Sequence, residues 1–246
     1  MGARARGSCV IVGAGAGTGA AVARAFAAEG LVACVSRRPR HADALDALAA
    51  EIEARGGRAL ALPCDARDED AVRALFARAE AEAGPVEACV FNIGANVRFG
   101  ITDTTERVYR KVWEMAALAG FLTIREAARV MRPRGRGTII ATGATASVRG
   151  GAGFAAFAAA KAALRATCQS AARELGPEGI HVAHVVIDGM IDGAFIRGAV
   201  PDAAALDAGD RLLRPEEIAA EYVRLHRQPR RAWTHEMDLR PYKEAW

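Results

Sequence analysis

The sequence predicts a doubly wound α/β domain built on a parallel sheet, and three observations carry the prediction. Short runs that are apolar throughout, rather than alternating, recur along the chain. Strands of that kind are buried on both faces, as in a parallel sheet covered by helices on each side. Longer Ala/Arg/Glu-rich segments of helical period lie between the runs. Glycines, two of them followed by proline, fall where a helix should stop and the next strand begin.

Strands are expected at 8–12, 31–36, 58–63, 87–92, 137–142, 180–187 and 232–239, about seven in all. Helices are expected at 18–29, 43–55, 69–83, 105–131, 153–175 and 215–225. Gly30, Gly56 with Gly57, Gly84 with Pro85 and Gly176 with Pro177 mark helix exits. Pro215 followed by Glu216 and Glu217 marks a helix start, because proline suits the first turn and acids complement the positive end of the helix dipole. Residues 190–214 mix Gly, Asp and Ala without a period and read as a flap over a ligand. With no repeat and no dividing linker, residues 1–246 are expected to form one domain.

A chain of 246 residues can bury one large core. Its 52% hydrophobic and 25% charged residues are ordinary for a globular domain. No apolar run nears the ~20 residues of a membrane span. The net charge of +4 is spread among 29 acids with no basic stripe interleaved with aromatics, so neither nucleic acid nor a membrane is expected as partner. The start of the chain passes straight into a Gly-rich turn, with no cleavage site of a secretory signal. Cys9, Cys34, Cys64, Cys89 and Cys168 are far apart and form no Cys/His cluster, which argues against zinc and disulfides and for a cytoplasmic location. Only three of the 33 basic side chains are lysines, so Lys161, on an alanine-rich helix, stands out.

The first strand runs into "VGAGAGTGAAVARAFA", placing Gly13, Gly15, Gly17, Thr18 and Gly19 between a buried strand and a helix. A dinucleotide's pyrophosphate needs a backbone that approaches closely and a helix N-terminus whose N–H groups face the anion, and glycines at this spacing supply both. That makes the domain Rossmann-type. The second strand ends in Ser36, Arg37 and Arg38, with no carboxylate for the ribose hydroxyls of NAD(H). Guanidinium forks suit a 2′-phosphate, so NADP(H) is the expected cofactor; the alternative is a solvated cluster in an Arg-rich chain.

With Gly13, Gly17 and Gly19 in one turn and Lys161 in a later helix, the chain resembles the short-chain dehydrogenase/reductase family over nearly its whole length. Asp65 matches the family's aspartate that holds the adenine amino group. "FNIGAN" is similar to its Asn-Asn-Ala-Gly turn, keeping Asn92 and Gly94. "AARELGPEGIHV" is similar to the exit from its catalytic helix. The resemblance implies Lys161 at the nicotinamide ribose, Gly189 and Ile191 near the carboxamide, and a homo-dimer or homo-tetramer packed through the long helices.

The family's catalytic Tyr, Ser and Asn correspond here to Phe157, Ala144 and Ala117, and the tyrosine of the related enoyl reductases to Phe154. Its Pro-Gly turn after the sixth strand reads as Asp188-Gly189, one residue longer. A general acid contributes ~10²–10⁴-fold and an oxyanion donor ~10²–10³-fold, so ordinary ketone reduction should nearly vanish. Thr142, Thr145, Ser147, Arg149, His184, Asp188 and Asp192 fall at the walls of the expected site, and one could replace the lost hydroxyl. Each also has a plainer reading, as a turn former, a strand histidine or a loop cap. Three functions stay open. The first is an NADP(H)-dependent oxidoreductase acting on a small molecule, such as an imine whose cation Asp188 or Asp192 would hold. The second is a nucleotide-binding protein without redox turnover, and the third a lyase or isomerase on the same scaffold.

Overall fold

The computed structural model describes residues 7–244. Its first half alternates strand and helix: β1 (Ser8–Val12), α1 (Thr18–Ala28), β2 (Val32–Ser36), α2 (Ala42–Ala54), β3 (Arg58–Ala61), α3 (Glu69–Ala83) and β4 (Val86–Phe91). Next come α4 (Glu106–Trp113), a π-helical turn (Glu114–Leu118), α5 (Ala119–Met131), β5 (Gly137–Thr142), α6 (Ala155–Leu175) and β6 (Ile180–Ile187). The chain closes with β7 (Met190–Ile191), α7 (Ala194–Ala199), α8 (Ala203–Ala208), β8 (Leu212–Leu213), α9 (Pro215–Arg227) and β9 (Glu236–Leu239).

Seven strands form one sheet in the order β3-β2-β1-β4-β5-β6-β9, every neighbouring pair parallel. The order reverses between β1 and β4, and such a switch point opens a crevice at the carboxyl ends of the strands. The strands bury both faces. Val10 and Val12 of β1 belong to the core under α3, α5 and α6, with Phe76, Leu122 and Leu164. Cys9 and Ile11 face the other core, under α1, α2 and α9, with Phe26, Leu45 and Tyr222. All five cysteines are free and buried. Burial pushes the thiols of Cys34, Cys64 and Cys168 up to about 12, which keeps them protonated and inert.

Four local features differ from the sequence expectation. The helix expected over 105–131 is broken by the π turn, where Ala116 and its neighbour Val112 pack on Ala156 and Ala160 of α6. The residues expected to lack regular structure, 190–214, contain α7 and α8 between β7 and β8, which pair in a two-stranded sheet. The last strand is only Glu236–Leu239. The strand expected at 58–63 stops at Ala61. Among the described residues, no helix is long and apolar enough to cross a membrane, and no group of side chains is arranged to hold a metal.

Candidate active site

A cleft of about 890 Å³ opens at the switch point. The turn after β1, the ends of β4 and β5, the start of α6 and β7 all contribute to its walls. Gly13 is left-handed (φ 98°), and a side chain there would press on the Asn92 carbonyl, 2.7 Å from where its Cβ would stand. A Cβ on Gly19 would collide with the Gly13 carbonyl oxygen and stand 2.7 Å from Ala14 Cα. Gly15 and Gly17 face open space instead, the nearest atom to a Gly15 Cβ being Arg37 Cζ at 3.8 Å. Thr18 opens α1 with no side-chain cap on the helix N-terminus. Two of these glycines therefore serve packing, and two leave the cleft floor bare.

One end of the cleft is strongly basic, lined by Arg37, Arg38, His41 and Arg67. Partial burial and the neighbouring Arg40 and Arg67 hold the Arg38 guanidinium below its ordinary pKa. Asp65 is the carboxylate at this end, and Arg67 clamps it with two N–H donors at 2.9 and 2.6 Å. That clamp, above all, depresses the Asp65 pKa. Ser36 does not share the cleft wall: its side chain is fully buried and its Oγ has no hydrogen-bond partner.

Toward the centre, Lys161 donates to the carbonyls of Thr142 (2.7 Å) and Ile93 (3.1 Å). The lysine is 2% exposed, and burial lowers its pKa to about 8. Asn92 donates from Nδ2 to the Gly13 carbonyl (3.2 Å) and accepts from Thr142 Oγ1 (2.9 Å). Because the Thr142 proton is used there, the Tyr222 hydroxyl, 2.7 Å away, donates to Thr142 Oγ1. This chain ties the glycine turn through β4 and β5 to α9. Gly94, Gly189 and Ile191 lie on the cleft wall, Gly189 with φ 151° against Pro241.

Phe157, Phe154 and Ala144 all line the cleft. Beside Ala144, Thr145 donates its hydroxyl proton to Asp188 Oδ1, and Arg240 holds the other carboxylate oxygen at 3.1 Å. Ser147 is buried and accepts from the Ala144 N–H at 2.9 Å. His184 lies behind Gly143, fully buried, with Nδ1 on Glu236 at 3.2 Å and Nε2 without a partner. Burial outweighs the pull of Glu236 and lowers the His184 pKa to about 4. Asp192 is held by Arg197 at 2.6 Å through both carboxylate oxygens, so it offers no free charge to a ligand.

A family model described as short chain dehydrogenase matches residues 8–202. The chain belongs to the short-chain dehydrogenase family. It is 33% identical over 215 residues to cis-4-hydroxycyclohexanecarboxylate dehydrogenase of Sinomonas cyclohexanicum, covering 85% of each chain. Among solved structures, a short-chain dehydrogenase from Rhodopseudomonas palustris superposes with a TM-score of 0.82 at 48% identity, covering 96% of this chain and 99% of the other. An actinorhodin polyketide ketoreductase solved with NADPH has a TM-score of 0.88 at 22% identity, over 98% of both chains, which shows the shared fold.

Seen as a short-chain dehydrogenase, the protein brings Lys161, Asn92, Gly94 and the glycine turn into one cleft. Phe157, which the sequence resemblance pairs with the family's phenol, lies on the wall of that cleft. Ala117 is buried within the π turn. Tyr222 shares Thr142 with Lys161 as a hydrogen-bond partner, yet it is fully buried and does not line the cleft. Sequence reasoning missed Arg67, Arg240 and Tyr222. In a chain with so many arginines and no period to single these three out, only tertiary contacts reveal them.

Proposed function

We propose that this short-chain dehydrogenase is an NADP(H)-dependent oxidoreductase in which the Thr145 hydroxyl, held by Asp188, takes the place of the missing phenol. The observation that carries the reading is Thr145 on the cleft wall beside Ala144, with Asp188 and Arg240 behind it in one chain of contacts. The donor set fits the nucleotide. Clustered guanidiniums repel one another at Arg38, and a 2′-phosphate between Arg37 and Arg38 would relieve that repulsion. The uncapped start of α1 and the bare floor at Gly15 and Gly17 suit the pyrophosphate. Lys161 and Asn92 suit the nicotinamide ribose, and the nicotinamide, when bound, supplies the hydride chemistry.

Thr145 gives its proton to Asp188, so its Oγ1 offers lone pairs to the cleft. An alcohol O–H finds an acceptor there, whereas a carbonyl oxygen finds no donor. The arrangement therefore favours alcohol oxidation: the alcohol proton moves to Thr145 Oγ1 as the threonine proton moves to Asp188 Oδ1. Thr145 is the catalytic group, and Asp188 positions it. A cationic imine fits less well, because Arg240 and Arg197 already hold the carboxylates it would need. The buried free thiols fit a reducing, cytoplasmic setting, and exposed Tyr109, Trp113 and Phe121 on α4 and α5 support an oligomer.

The test pairs calorimetric titration of NADP⁺ and NAD⁺ with turnover of a panel of secondary alcohols and ketones. Thr145→Val should lower kcat by ~10²-fold, while Thr145→Ser keeps most of it. Asp188→Asn should lower kcat with little change in KM. Full activity in Thr145→Val would remove the threonine from the reaction. Tight NADP⁺ binding with no alcohol or ketone converted would favour the nucleotide-binding reading instead. Adding Phe157→Tyr and Ala144→Ser should bring ketone reduction up.

A further inference from the structure

The substrate half of the cleft combines an apolar lining with one unpaired positive charge. Met115, Phe154, Phe157, Met190 and Ile196 provide the apolar walls. Among the described residues, the one carboxylate lining the cleft is Asp65, at the basic far end and clamped by Arg67. Arg149 lies on the substrate-side wall, exposed, and no carboxylate of the described residues pairs with it. A second guanidinium lies over Phe154, which also lines the cleft. Arg98 lies 5.7 Å from the centre of the Phe154 ring, with Cγ 3.1 Å from where a Cβ on Gly153 would stand, and it too has no acid partner. In a protein that pairs so many arginines with acids, a bare guanidinium on the cleft wall and another over Phe154, itself a lining residue, make this part of the cleft attractive to anions.

We propose that Arg149 binds an anionic group of the substrate, a carboxylate on an apolar ring or chain, with Arg98 adding attraction at the entrance. The inference rests on the oxidoreductase reading and deepens it by naming the substrate class: apolar hydroxy acids and their oxo acids. A guanidinium fork matches the planar carboxylate with two parallel hydrogen bonds. A phosphate dianion shares the negative charge but asks for more donors than this wall presents.

The test uses cycloalkanols of one ring size bearing a carboxylate, its methyl ester, a phosphate ester or no substituent, assayed with NADP⁺ over a range of salt. The carboxylate should exceed its ester in kcat/KM by about 5-fold at low salt, mostly through KM, and the advantage should shrink as salt rises. Arg149→Gln should collapse the carboxylate-over-ester ratio toward one, with Arg149→Lys restoring part of it, and melting temperatures should confirm that the variants fold. A ratio near one in the wild-type protein, or a ratio unmoved by Arg149→Gln, would overturn the proposal. A phosphate ester that outperforms the carboxylate would also overturn it. Calorimetry of the saturated carboxylic acid against the NADP⁺ complex separates the two readings. If Arg149→Gln abolishes binding but no alcohol is oxidised, the anion site stands and the oxidoreductase reading fails; if alcohols are oxidised without preference, the reverse holds.

Discussion

Gly143 shows how closely the site is built around single side chains. A Cβ at this position would overlap the His184 ring, with Cε1 only 2.6 Å away, and that ring is buried and fixed on Glu236. Gly143→Ala should therefore cost ~1–3 kcal/mol by chemical denaturation, the range of overpacked cores. The double variant with His184→Ala should lose less than the sum of the two single losses, because the two changes meet at one point. At this scale the sequence was partly readable. Lys161 could be singled out because lysine is scarce and its neighbours are alanines, and it is indeed buried. The partners of Asp65 and Asp188 could not. Arg67 is a near neighbour in sequence and Arg240 a distant one, and nothing in either position distinguishes it from the other arginines.

Elements were more legible than side chains, because a strand buried on both faces leaves an unbroken apolar run and a helix end leaves a glycine. The π turn at Glu114–Leu118 left no such mark. It contains no proline or glycine, and the small Ala116 packing against α6 becomes visible only in three dimensions. The glycine turn divides by role in a way that spacing alone does not reveal, and substitution should separate the roles. Gly19→Ala drives a methyl into backbone and should lower the melting temperature by several degrees, a cost of roughly 1–3 kcal/mol. Gly15→Ala meets only Arg37 at ordinary contact distance, so melting should change little while NADP⁺ affinity falls. Thermal melts with and without nucleotide read both outcomes; a Gly15→Ala protein that binds normally would show that the bare floor is not the pyrophosphate's seat.

Across the whole molecule, burial of titratable groups gives stability a definite pH dependence. Burial lowers the pKa of His184 to about 4 and also depresses His181 and His226. Each binds its proton more weakly folded than unfolded, so the unfolded chain takes up more protons between pH 6.5 and 4. Melting temperature should fall with pH across that window, before the depressed carboxylates Asp65 and Glu236 begin to titrate. Lys161 acts at the other end. With its pKa lowered to about 8 from 10.5, the folded state sheds this proton first, which by itself raises stability between those values. The buried thiols of Cys34, Cys64 and Cys168, held protonated up to about 12 in the fold but ionising near 9 in the unfolded chain, pull the other way in larger number, so stability should fall as pH climbs past 9, and Lys161→Met should steepen that fall. A wild-type curve that is level from pH 6.5 to 4 would mean the imidazoles are more solvated than their burial indicates.

The pairing of β7 with β8 brings the two ends of the 190–213 stretch side by side, with the Asp192 amide bound to the Leu213 carbonyl at 2.8 Å. A stretch fastened at its base behaves as an exchangeable cassette. Its interior, which lends Ile196 to the substrate wall, could be swapped for the corresponding stretch of a homologue while the grip on the nucleotide stays intact. Diversification of substrate choice in such a molecule has an obvious place to begin.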